Sequence, residues 1–137
     1  MKLTTLKGGL SKSFNLTPYL IDWSRKVSGP QQKAKDFLFP FFKNDQVLEE
    51  FLIPGSLLRL DIFNVSKKLV IEISPQQHFK FNSFLHKTPL NFLAQIKRDE
   101  EKRKWIEKND LVLVELRDED LKDLTKQRFK DKFLIDL

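Results

Sequence analysis

The chain has no cysteine, which excludes disulfides and thiolate metal sites and permits a reducing compartment. Histidine occurs only twice, too seldom for a multi-histidine zinc centre. No apolar run approaches the ~20 residues of a membrane span. Residues 1–13 are basic and lack the apolar core of a signal peptide. These absences set the expectation of a cytoplasmic protein, in a bacterium or a phage-infected host cell, with no membrane partner. Repeats, low-complexity stretches and a second-domain boundary are also missing.

What is present fits one α/β domain over residues 1–137, long enough to bury a sizeable core. A hydrophobic fraction of 40% beside 32% charged residues is that of a globular chain rather than a disordered one. Thirteen phenylalanines, against one tyrosine and two tryptophans, supply bulky apolar area that offsets the small size. The net charge of +6 suits a polyanionic partner, nucleic acid before an acidic membrane surface.

Residues 1–15, with Gly8, Gly9 and several Lys and Ser, read as a flexible arm. Ser28, Gly29 and Pro30 are helix-start residues, followed by Ala34, Phe37, Leu38 and Phe41 at the spacing of one helical face. Pro40 is expected to kink or end that helix. Strands are expected over 47–54, 58–63 and 68–74, and a buried fourth over 110–116. A long helix is expected over 90–108, with Phe92, Ile96 and Ile106 inward, and a short one over 118–125. Residues 126–137 read as a basic tail, a flexible terminus or a reader of nucleic-acid grooves.

Asp61 and Glu72 each interrupt an otherwise apolar strand. With a turn at 64–67, Phe63 pairs with Lys68 and Asp61 with Val70. Side-chain alternation then puts Asp61, Val70, Glu72 and Ser74 on one face, with the two acids diagonal to each other. Carboxylates so placed repel unless a proton or cation lies between them. Oxygen donors at that spacing favour a hard ion such as Mg2+, which keeps waters and completes its shell with phosphate. Such an ion polarises a phosphoryl oxygen and acidifies bound water, as phosphodiester hydrolysis requires. The alternative is that both acids are solvated on half-exposed strands. Against it, strands followed by a crossover helix are usually covered on both faces, where an isolated charge is expensive.

His78 closely follows the third strand, where it could orient water, protonate a leaving oxygen or bond a phosphate. The bland reading is a structural or exposed histidine, and His86 is read that way. On the long helix, Asp99 shares a side with Phe92 and Ile96, and Lys102 could bring a cation to the same place. The charge run 97–104 is otherwise explained as a solvated helix face.

The pattern Arg59-Leu60-Asp61-Ile62, then Ile71-Glu72-Ile73-Ser74-Pro75-Gln76-Gln77-His78, then Lys97-Arg98-Asp99-Glu100-Glu101-Lys102 with Trp105 and a strand, resembles the PD-(D/E)XK nuclease superfamily. The likeness spans roughly residues 30–116. It leans to the branch of very-short-patch-repair-like enzymes, small uncharacterised relatives and phage homing endonucleases. The resemblance implies a restriction-endonuclease-like α/β sandwich with a central mixed sheet flanked by helices. It implies Asp61 and Glu72 as metal ligands, His78 as the branch histidine and Asp99 as the acid on the following helix. Ser74 stands where the motif lysine would be, a role open to His78 or Lys102. The acid that the branch tends to carry on its first helix is replaced by Gln31 or Gln32.

The expected activity is that of an Mg2+-dependent deoxyribonuclease, an endonuclease with Mn2+ as a substitute ion, acting on duplex or branched DNA in repair, recombination or homing. Arg59, Lys80, Lys87, Arg98 and Arg103 are candidate backbone contacts. A chain this small could act as a homodimer to cut both strands, or nick as a monomer. The competing expectation is an inactive nucleic-acid-binding or assembly module on the same fold, which Ser74 favours. A nuclease acting on RNA is a third reading.

Overall fold

A computed structural model describes residues 2–6, 8, 12–27, 29–74 and 89–137. It is an α/β fold built on an open four-stranded mixed sheet. A two-stranded ribbon of β1 (Lys2–Leu3) and β2 (Lys12–Ser13) leads into a short 3-10 turn at Thr17–Tyr19. Then come α1 (Gly29–Phe42), β3 (Val47–Leu52), β4 (Arg59–Asn64), β5 (Leu69–Ile73), α2 (Pro89–Lys108), β6 (Val112–Leu116), α3 (Asp118–Leu121) and α4 (Lys126–Phe133). The sheet order is β3-β4-β5-β6. Its first three strands are antiparallel, and β6 runs parallel to β5 after the α2 crossover.

Both faces of the sheet are covered. On one, Ala34, Leu38 and Phe42 from α1 pack with Ile62, Ile71, Val114 and Leu116, joined by Leu121 and Phe129 from the last two helices. On the other, Trp105 and Ile106 of α2 pack with Phe51, Phe63 and Val70, together with Leu3 and Leu16. Double coverage explains why β4 and β5 read as apolar runs broken only by Asp61 and Glu72. Pro40 sits inside α1 without ending it, because the helix reaches Phe42 and the Lys43 amide still bonds the Phe39 carbonyl at 2.9 Å.

Described residues near both chain ends are tied into the fold. Leu3 is buried, the Thr4 carbonyl accepts from the Trp105 indole at 2.8 Å, and the Thr4 amide donates to Asn109 Oδ1 at 3.1 Å. At the other end the basic segment is helical. Phe129 is buried against Phe37 with ring centroids 5.5 Å apart, while Arg128 and Lys132 both reach the buried Asp120. No helix among the described residues is long and apolar enough to cross a membrane.

Candidate functional site

Asn64 sets the geometry of the two acids. It is completely buried, its Nδ2 donates to Asp45 Oδ2 at 2.9 Å, and its Oδ1 accepts from the Lys67 amide at 2.9 Å. These bonds hold Asn64 in β4, so the loop runs from Val65 to Lys68 and closes with Lys68 at φ 54°. The register is therefore Phe63↔Val70 and Asn64↔Leu69, two residues from the expected Phe63–Lys68 pairing. A shift of two keeps each side chain on its face. Asp61 consequently lies across from Glu72, not from Val70.

Backbone pairing of β4 with β5 stops at Ile62↔Ile71, and the two carboxylates continue it. Glu72 Oε2 accepts from the Asp61 amide at 2.7 Å, and Asp61 Oδ2 accepts from the Ile73 amide at 2.8 Å. From α2, Lys102 Nζ reaches Glu72 Oε1 at 2.9 Å. Burial raises the Asp61 carboxyl above its usual range, opposed by the Ile73 N–H and by the Lys102 ammonium. Burial also pushes Glu72 up to about 7, helped by the charge on Asp61 and opposed by Lys102. Near neutral pH the pair thus favours a proton or another cation between its oxygens.

The acids extend further than expected. The flanking pairs Glu49↔Ile62 and Phe51↔Leu60 put Glu50 opposite Asp61 on one side, and Glu72 pairs with Glu115 on the other. Four acids thus occupy one row across all four strands. Glu50 adopts the left-handed φ of 52°, which strains a non-glycine residue, and its charge adds to the upward pressure on Asp61. Arg103 Nε and Nη2 bond Glu115 Oε1 at 3.0 and 2.9 Å, and Arg117 Nη2 reaches Oε2 at 3.4 Å. This row was missed because it depends on registers set by turns, although acids at one level of each strand were its signal.

Among the other candidates, Asp99 is half-buried on α2, one turn before Lys102. Arg98 is exposed on the same helix, and Arg59 is exposed with Nη1 on the Glu50 carbonyl at 3.1 Å. His78, Lys80 and Lys87 lie outside the described residues. The first-helix glutamines turn elsewhere. Gln31 donates to Glu49 at 3.3 Å, and Gln32 donates to Asp36 at 2.8 Å. Glu49 belongs to a buried polar cluster that the sequence did not reveal, with Arg25 at 2.6 Å and Lys35 at 3.2 Å. Lys35 Nζ also donates to the Asp22 and Arg25 carbonyls, so this cluster is internally satisfied.

The pair fits a hard divalent ion by its donors. The Asp61 and Glu72 side chains also hydrogen-bond each other, and both groups are oxygen donors raised by burial. No group of three or more acidic, histidine or cysteine side chains suited to hold a metal occurs among the described residues.

No family model and no solved structure matches the chain. The chain is similar to "Uncharacterized protein 033L" of Invertebrate iridescent virus 3, with 35% identity over 80 residues, 58% of this chain and 41% of the viral protein. It spans, then, about two-fifths of that relative's length.

Proposed function

We propose that the chain is a metal-dependent endonuclease hydrolysing phosphodiester bonds in DNA, on a restriction-endonuclease-like sandwich, with Asp61 and Glu72 holding Mg2+ or Mn2+. The observation that carries this reading is the meeting of the buried Glu72 and the half-buried Asp61 with the Lys102 ammonium between a strand pair and a crossover helix. When bound, the ion supplies Lewis acidity to a phosphoryl oxygen and an acidified water. Lys102 favours the ionised form of Glu72 for that ligand role, against the burial that raises it, and presents donors to charge developing on phosphate. It occupies the functional place that Ser74 leaves empty in the motif. His78 and Asp99 are the proposed assistants in proton transfer, and Arg59, Lys80, Lys87 and Arg98 the backbone contacts. Duplex DNA is the first substrate, and branched DNA the second.

Incubation of supercoiled plasmid with the protein and Mg2+ or Mn2+ tests this. Nicked or linear product is expected with wild type and absent with Asp61→Ala. A competing reading is a non-cleaving nucleic-acid-binding or assembly module. It is favoured by the fact that each carboxylate already fastens a strand amide where the ladder ends. DNA binding without cleavage, under either metal and on linear, supercoiled and branched substrates, decides for that second reading.

A further inference from the structure

The side chains of β3 and β4 change phase at one level of the sheet. On β3, Val47 packs on the α1 side and Glu49 pairs with Lys35 of α1, while Leu48 packs on the α2 side. Unbroken alternation would return Phe51 and Ile53 to the α1 side. Both instead join Leu48 in the cluster around Trp105. On β4 the same thing happens. Leu60 and Phe63 belong to the α2-side cluster and Ile62 to the other, so the alternation resets between Leu60 and Ile62. Glu50 and Asp61 take up the two resets, and the flanking pairs place them opposite each other.

Glu50 supplies the cause. Its φ of 52° lies in the left-handed region, which turns the chain out of the strand's ordinary pleat for one residue. The side chain is not what is held there. Its carboxylate is 54% exposed and 3.6 Å from the exposed Arg25, a pair of little energetic weight. The backbone is held, since the Glu50 carbonyl accepts from Arg59 Nη1 at 3.1 Å. Farther out, the Leu6 amide bonds the Pro54 carbonyl at 2.9 Å and fixes the hairpin arm. The consequence falls on Asp61. In an unbroken strand its side chain would follow Phe63 and stand perpendicular to the sheet. Instead β4 leaves β5 after Ile62↔Ile71, and the Asp61 carboxylate bonds the Ile73 amide where the ladder stops.

We propose that Glu50 is a positioning residue that acts through its backbone: its left-handed conformation turns the arm 51–60 and so swings the Asp61 carboxylate into the gap between β4 and β5. Its part in cleavage rests on the nuclease reading, whereas its hold on Asp61 does not.

Three substitutions separate backbone from charge. Glu50→Gln removes the charge and keeps the size. Glu50→Gly also removes the charge, and takes a positive φ without steric cost. Glu50→Val favours an ordinary strand and resists a positive φ. The readout is the through-hydrogen-bond NMR coupling from the Ile73 amide nitrogen to the Asp61 carboxyl carbon, which needs neither metal nor nucleic acid. Wild type, Glu50→Gln and Glu50→Gly should show it, and Glu50→Val should lose it. Glu50→Gly should also melt above Glu50→Gln, because the strain is gone. Glu50→Val should melt below both, although valine is welcome at an exposed strand position that has no such role. Should Glu50→Val not fold at all, the coupling and the melting order of the other two variants decide. Coupling retained in Glu50→Val, coupling absent from wild type, or Glu50→Gly melting no higher than Glu50→Gln overturns the proposal. Plasmid nicking with Mg2+, assayed alongside, should be lost in Glu50→Val and rescued in Glu50→Gly. A wild type that shows the coupling but nicks nothing removes the nuclease reading and leaves the positioning of Asp61 standing.

Discussion

At the scale of the residue, the site turns on how Glu72 holds a proton. Its ordinary value is 4.5 and the fold raises it to about 7. Between these values the folded state binds more protons than the unfolded chain, so stability falls as pH rises. The penalty is absent below about 4.5 and complete above about 7. Asp61→Asn removes one of the two like charges. Its amide oxygen can still accept from the Ile73 amide, and its Nδ2 can donate to Glu72. Calorimetric melts should find this variant more stable than wild type by about 1 kcal/mol, a few degrees in Tm, at roughly pH 8. At about pH 5, where wild-type Glu72 is already protonated, the advantage should vanish. An Asp61→Asn protein less stable than wild type at the higher pH would show that the two acids do not repel. That two acids break apolar strands was legible in the sequence. That their oxygens bond each other's strand amides was not, since it required the buried Asn64 to move the turn.

Among the elements, the α/β order and the four main strands were legible because burial on two faces leaves nearly continuous apolar runs. The packing of the C-terminal segment was not legible for a physical reason. A basic helix such as α4 has mostly charged residues, and its partner acid Asp120 lies eight residues before Arg128 and twelve before Lys132. No periodicity within the segment displays that contact. The cluster of Lys35 and Glu49 was hidden likewise, because a lysine and a glutamate in the sequence look solvated until α1 lies on β3. The tail is part of the core, which yields a quantitative expectation. Phe129→Ala, emptying a site lined by Phe37 and Phe133 with ring centroids at 5.5 and 5.4 Å, should cost about 3–5 kcal/mol. Denaturant unfolding reads this as a lower midpoint with an unchanged slope. Lys130→Ala on the exposed side of the same helix should fall within about 0.5 kcal/mol of wild type. Equal, small effects from both would mean that α4 is not docked.

Over the whole molecule, the topology joins pieces that are remote in the chain. β4 and β5 bring the acids together through a hairpin, whereas Lys102 arrives from 30 residues beyond Glu72 on the helix that crosses to β6. Sequence could nominate Lys102 only as one of several cations in a charged run, and it took the crossover to single it out. The same crossover helix packs Trp105 and Ile106 on the sheet and brings Lys102 to Glu72. Such a site should couple ion binding to proton release, because a divalent ion and a proton compete for the same oxygens. Mg2+ present at 100 times its dissociation constant should stabilise the folded chain by about 2.7 kcal/mol. At fixed Mg2+ the rise in Tm should therefore be greater at about pH 8 than at about pH 5. It should be lost in Asp61→Asn, and a monovalent salt of equal ionic strength should not reproduce it. A rise of the same size at both pH values, or one retained by Asp61→Asn, would place the ion elsewhere on the protein and leave the two acids as fasteners of β4 to β5.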